Sequence, residues 1–126
     1  MDLLDKVVSL EESASEFGFR WENTDQIMQQ IQSECEEIKK HLHHELSQDS
    51  KAALQEEIGD LLHAVFSLCV FAGFSPRMTL GQSLTKFERR LRAVKLITEE
   101  QGLNHLDGKP FDELMTIWDR AKELVG

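Results

Sequence analysis

The sequence predicts an all-α fold, a bundle of about five helices, and three observations carry that prediction. Apolar residues recur at spacings of three, four and seven along most of the 126-residue chain, the period of an amphipathic helix. Only 2 prolines and 7 glycines interrupt it, and most of them fall between the periodic stretches, where helices end. No segment alternates apolar and polar residues in the manner of a strand.

Each element has its own punctuation. A first helix runs from about Leu3 to Phe17 and stops at Gly18, because glycine adopts the left-handed conformation that closes a helix. The segment FRWEN is a connector, and Asn23 or Thr24 caps a second helix whose apolar stripe is Ile27, Ile31, Ile38, Leu42 and Leu46. The polar run Ser47–Ser50 is a turn, with Asp49 or Ser50 capping a third helix that ends near Gly73. Beyond Leu61 that helix is apolar on nearly every face, so it is central or lies in a subunit interface. Ser75 followed by Pro76 is a cap and a first-turn proline, and opens a fourth helix that runs to Gly102. After the loop LNHLDGK, Pro110 opens a short last helix carrying Trp118 and Lys122.

Size and charge narrow the function classes. A chain of this length fits one domain, residues 1–126. Its net charge of −9 argues against a general nucleic-acid binder, which needs a basic surface. An acidic chain still accepts phosphates where a divalent cation bridges them to carboxylates. Cys35 and Cys69 lie among apolar residues without a CxxC spacing, and read as reduced core residues rather than a disulfide or zinc site. The start MDLLDKVVSLEES has acids inside its apolar run and does not read as a signal peptide. The run Leu61–Phe74 contains His63 and is too short to span a bilayer. The expected compartment is the cytoplasm, with no membrane partner.

Two acidic pairs sit where apolar residues belong. Glu34 and Glu37 lie three apart on the second helix, Glu57 and Asp60 three apart on the third, and residues three apart share a face. Glu34 falls between Ile31 and Ile38, and Glu57 between Leu54 and Leu61, so both pairs should point toward the bundle interior. With a hairpin turn near Gln48, the first pair lies roughly 14 and 11 residues before the turn and the second roughly 9 and 12 after it. At about 1.5 Å per residue the two pairs reach similar heights on a central antiparallel helix pair. Four buried carboxylates repel one another and raise their own pKa values unless a cation joins them. Hard oxygen donors without histidine or cysteine suit Mg²⁺ or Mn²⁺. Gly59 costs a helix about 1 kcal/mol relative to alanine, which is better tolerated where a backbone or ligand must come close. A single ExxE in an acidic protein usually marks a solvated face; two pairs, each inside an apolar stripe and matched across a hairpin, favour the metal.

The fourth helix is basic, and Lys86 and Arg90 share a face beside Phe87 and Leu91. That pair suits phosphate oxygens, against the plainer reading of a solvated basic face. Trp118 and Lys122 are four apart, so an indole could stack on a base while the amine reaches a phosphate; the plainer reading is a core tryptophan beside a surface lysine. His41, His43 and His44 fan out around their helix with no further nitrogen or sulfur ligand evident, which disfavours zinc. His63 reads as a core residue and His105 as a loop residue.

These residues together resemble a known family. SECEEI (Ser33–Ile38) followed by EEIGDLL (Glu56–Leu62) is similar to the ExxE…ExxD signature of MazG-type nucleotide pyrophosphohydrolases. TKFERRLRAV (Thr85–Val94) resembles that family's KFxxR segment, FDELMTIWDRAK (Phe111–Lys122) its closing tryptophan segment, and FRWENT (Phe19–Thr24) its approach to the metal helix. Leu84 and Ala53 depart from the asparagine and lysine that many members carry there. The resemblance implies an all-α homodimer or homotetramer. It implies Mg²⁺ on Glu34, Glu37, Glu57 and Asp60, and nucleotide contacts from Lys86, Arg90, Trp118 and Lys122. The implied reaction is Mg²⁺-dependent hydrolysis of a nucleoside triphosphate to the monophosphate and pyrophosphate. One of the four carboxylates would serve as general base, with Lys86 and Arg90 stabilising charge that develops on the phosphates. Two alternatives stand beside it. One is a related hydrolase acting on a special substrate such as dUTP, dCTP or phosphoribosyl-ATP. The other is a non-catalytic helical dimerisation module whose apolar third helix forms the interface.

Overall fold

A computed structural model describes residues 1–43 and 47–126. Its described residues form five helices and no strand: α1 (Leu3–Phe17), α2 (Thr24–Leu42), α3 (Gln48–Phe71), α4 (Pro76–Glu100) and α5 (Phe111–Val125). The all-helical reading is therefore borne out. The chain divides into two compact units, Met1–Thr79 and Leu80–Gly126.

Local chemistry sets the helix ends. Gly18 closes α1 at φ 99°, a conformation that costs glycine no steric clash. Asn23 caps α2, its side chain accepting the Gln26 amide. The third helix starts earlier than the sequence suggests. Ser47, rather than Asp49 or Ser50, is the cap and accepts the Ser50 amide. Any of the polar side chains in that run has cap chemistry, and the one whose oxygen meets a free amide three residues on takes the role. Ser75 accepts the Met78 amide at 3.2 Å and Pro76 opens α4, as expected. Pro110 precedes α5 as its cap residue, with no side-chain hydrogen bond.

In the first unit, α2 packs extensively on α3, and α1 makes a smaller contact with α3. Ile27 is fully buried and Ala64 nearly so. The predicted α2 stripe is only partly inside. Ile31 and Ile38 are half-buried and Leu42 is exposed, while Leu46 lies outside the described residues. No α1 residue is buried. Half-buried Leu4, Val7, Val8 and Ala14 are joined by polar ties: Glu11 accepts hydrogen bonds from His63 Nε2 at 2.8 Å and from the buried Ser67 hydroxyl, and Asp2 and Asp5 pair with Arg77. His63 is thus an exposed partner of Glu11 and not a core residue. Its apolar neighbours Leu62 and Ala64 lie on other faces, since consecutive residues fan around a helix.

The apolar half of α3 is less buried than a central helix would be. Ala64 and Ser67 are inside, yet Leu62, Val65 and Phe71 are exposed. The second unit has the denser core: Ala93 and Ile97 of α4 pack with Ile117 and Ala121 of α5, flanked by Val94, Leu106 and Val125. Cys35 and Cys69 are free thiols, half-buried rather than core. No single helix among the described residues is long and apolar enough to cross a membrane.

Candidate metal centre and nucleotide-binding residues

The amphipathic register of α2 and α3 sets the acidic pairs. Glu34 is partly buried on α2 and Glu57 partly buried on α3, with 24% of its side chain exposed. Burial pushes the Glu34 carboxyl above the ordinary glutamate range, and the neighbouring carboxylates of Asp60 and Glu57 push it further. A hydrogen bond from Gln30 Nε2 at 2.8 Å pulls it back. Glu57 Oε1 also lies 3.7 Å from His41 Nε2. Three of the four predicted ligands are thus electrostatic neighbours.

The other parts of the expected constellation differ. Glu37 pairs with Lys40 on its own helix at 3.2 Å and is 45% exposed, and Asp60 is exposed. Glu37 is half-buried, like Glu34 and Glu57. Among the described residues no three histidine, cysteine, aspartate or glutamate side chains are gathered into a ready-made ligand shell. A Cβ at Gly59 would meet nothing within 4 Å, so no neighbouring segment of this chain requires that glycine. His43 is exposed and His41 meets a carboxylate, while His44 lies outside the described residues. A groove between α1 and the end of α3 is lined by Asp5, Val8, Glu12, Val70 and Phe74, and none of the four carboxylates borders it.

As ligands, the four carboxylates would suit a hard divalent cation. The set is all carboxylate oxygen, and the crowding at Glu34 is of the kind that positive charge relieves. Gln30, which sequence reasoning passed over, and His41, weighed there only as a zinc ligand, join this neighbourhood. Both sit one turn from an acidic residue, Gln30 before Glu34 and His41 after Glu37, and that spacing was the available signal.

The predicted nucleotide contacts all fall in the second unit. Lys86 is exposed on α4. The Arg90 guanidinium lies over the Trp118 ring, 5.6 Å from its centroid, and Nε donates to the Gly126 carbonyl at 3.1 Å. Arg89 donates to the Val125 and Gly126 carbonyls. The Phe87 and Trp118 ring centroids are 5.9 Å apart, tilted by 46°. Trp118 is partly buried, between the core and surface readings, and Lys122 Nζ lies 3.5 Å from Asp119 Oδ1. The structure therefore brings Arg90 and Trp118 together. Phe87 and Arg89 were not among the predicted residues; the three-residue spacing of Phe87 and Arg90 is the signal that could have found the first.

The chain resembles longer proteins over most of its length. It is 30% identical over 113 residues to "Nucleoside triphosphate pyrophosphohydrolase/pyrophosphatase MazG" of Thermotoga maritima, covering 90% of this chain and 41% of that protein. It is 26% identical over 113 residues to "Nucleoside triphosphate pyrophosphohydrolase" of Escherichia coli, covering 90% of this chain and 42% of that protein. The chain thus spans about two fifths of the length of these relatives. The family described as MazG nucleotide pyrophosphohydrolase domain matches residues 22–95, a stretch that holds both acidic pairs, Lys86 and Arg90. By that match the chain belongs to the MazG nucleotide pyrophosphohydrolase domain family.

Proposed function

We propose that this chain is a cytoplasmic, Mg²⁺-dependent nucleotide pyrophosphohydrolase that cuts nucleoside or deoxynucleoside triphosphates to the monophosphate and pyrophosphate. The observation that carries the reading is the crowding of Glu34 by Glu57 and Asp60 inside the family-matched segment. Like charges held together without a structural need point to a cation that joins them. The names of the relatives support the reaction class.

In this reading α2 and α3 form a central antiparallel pair, and Glu34, Glu37, Glu57 and Asp60 hold Mg²⁺, or Mn²⁺ in its place. When bound, the ion supplies charge neutralisation for the phosphates and lowers the pKa of water. Glu37 must leave Lys40 to join the set, an exposed pair worth little to stability. One carboxylate of the four takes the proton of the attacking water. Lys86, Arg90 and Lys122 bind phosphate oxygens by charge-assisted hydrogen bonds, and Trp118 lies against the nucleotide. The exposed Leu62, Val65 and Phe71 of α3 are covered by a second copy, so the working form is a homodimer or homotetramer.

The test is to incubate the protein with each common NTP and dNTP, with Mg²⁺ and with EDTA, and to identify the products. Monophosphate and pyrophosphate appearing only with Mg²⁺ are the expected outcome. Intact common nucleotides but cleavage of phosphoribosyl-ATP would move the substrate and keep the chemistry. No cleavage and no Mg²⁺ binding by folded protein would leave the helical dimerisation module as the better account.

A further inference from the structure

The four candidate ligands differ in what already holds them. Glu37 is met by the Lys40 ammonium, a cation on its own helix. Glu57 lies 3.7 Å from His41 Nε2, beyond hydrogen-bond range, and Asp60 is exposed. Among the described residues, Glu34 alone of the four accepts a hydrogen bond from an uncharged side chain: Gln30 Nε2 donates to its Oε1 at 2.8 Å. The two residues are one turn apart on α2, so the helix itself sets the contact. Gln30 is exposed and has no packing role that would fix it there. The kind of partner matters for a cation. A lysine repels the incoming ion and must leave, whereas an amide carries no charge and can stay. A carboxylate offers about four lone-pair sites, so the bond to Oε1 leaves room for an ion on the same group.

We propose that Gln30 is a positioning residue for the metal centre, an amide that holds the Glu34 carboxylate oriented before the cation arrives. This rests on the metal reading above and adds a residue to it. Glu34 is then the fixed member of the ligand set, and Glu37 is the one that must move, since Lys40 has to be displaced. Hydrogen-bond partners of metal ligands set the ligand's orientation, and losing one costs about 10–100-fold in metal affinity or activity. An exposed partner on the same helix belongs at the lower end of that range.

The experiment reads metal binding directly, without nucleotide. Mg²⁺ and Mn²⁺ are titrated by calorimetry into the parent, Gln30→Leu and the control Gln29→Leu, whose residue is exposed on the same helix. Leucine keeps similar bulk and helix propensity and removes the amide. Gln30→Leu is expected to weaken both ions by about tenfold, while Gln29→Leu matches the parent. Melting in EDTA should be alike for the two leucine variants, because the amide acts on the ligand rather than on the fold. Pyrophosphate release by Gln30→Leu should fall at low Mg²⁺ and return at high Mg²⁺, with KM for the nucleotide unchanged once the ion saturates. Binding by Gln30→Leu as tight as by Gln29→Leu would overturn the role of Gln30 and leave the metal reading standing. Equal weakening in both variants would show an effect on the whole helix and overturn it too. A parent that binds neither ion would overturn the metal reading itself, and the role of Gln30 with it. If the parent binds the ions but hydrolyses no nucleotide, the reaction fails separately and the calorimetric comparison still decides on Gln30.

Discussion

The two compact units differ in the core they close and in the charge they gather. The smaller one, Leu80–Gly126, closes Ala93, Ile97, Ile117 and Ala121 into a core of its own. The larger one, Met1–Thr79, buries Ile27 and Ala64 as its apolar core and leaves Leu3, Leu10, Phe17, Leu62 and Phe71 exposed. It also carries all four candidate metal ligands. Uncovered apolar surface does not separate them, since Leu84, Leu96, Phe111 and Leu124 of the second unit are exposed as well. What separates them is the tighter buried cluster of the second and the carboxylates crowded at Glu34 in the first, which the proposed cation would relieve.

The largest effect should come from the dense core. Ile97→Ala removes a fully buried side chain and is expected to cost about 2–5 kcal/mol in chemical denaturation, with no dependence on Mg²⁺. A loss that Mg²⁺ abolishes would erase the contrast between the units. Saturating Mg²⁺ comes next: at one hundred times its Kd it should stabilise the first unit by about 2.7 kcal/mol, read by hydrogen exchange in α2 and α3. Equal protection of α4 and α5 would mean the ion acts on both.

Polar docking of α1 gives a third, smaller effect. Glu11→Ala leaves the buried Ser67 hydroxyl unpaired, for about 1–3 kcal/mol, and should speed amide exchange in α1 while α5 is unchanged. Exchange in α1 that stays slow would mean its apolar contacts hold it. Glu34 gives the smallest effect and sharpens the charge argument. Its carboxyl is raised, so the folded state holds that proton more tightly than the unfolded state. Stability therefore falls as pH rises from the ordinary glutamate value through the raised one. Glu34→Gln in EDTA should be slightly more stable than the parent at neutral pH, by a fraction of a kcal/mol given solvent screening, and no more stable below that window. Adding Mg²⁺ at neutral pH should reverse the order.

The fold was legible where structure is decided locally. Gly18, Asn23 (one of the two cap candidates with Thr24) and the Ser75–Pro76 pair each act on amides or dihedrals within a few residues, and they end or start helices. Ser47 was misread because cap candidates sit side by side there and only the chain path selects one. The acidic pairs were legible as face-sharing residues. Their side-chain partners were not: periodicity does not say that Glu37 turns to Lys40, or that Glu34 meets Gln30. His63 was misplaced for a related reason. An apolar run around it says nothing of a single polar face, which Glu11 of a distant helix occupies. The contact of Phe87 with Trp118 was not legible either, because its partner ring lies on another helix.

The most direct test of the central claim is the Mg²⁺ dependence of pyrophosphate release in the parent and in Glu57→Ala, on the nucleotide cleaved fastest. Glu57→Ala should lower release by more than about 100-fold, since even outer residues of metal sites cost 10–100-fold in affinity or activity, while the variant stays folded. Release that survives in Glu57→Ala, or that proceeds in EDTA, would contradict a metal centre on the α2–α3 carboxylates.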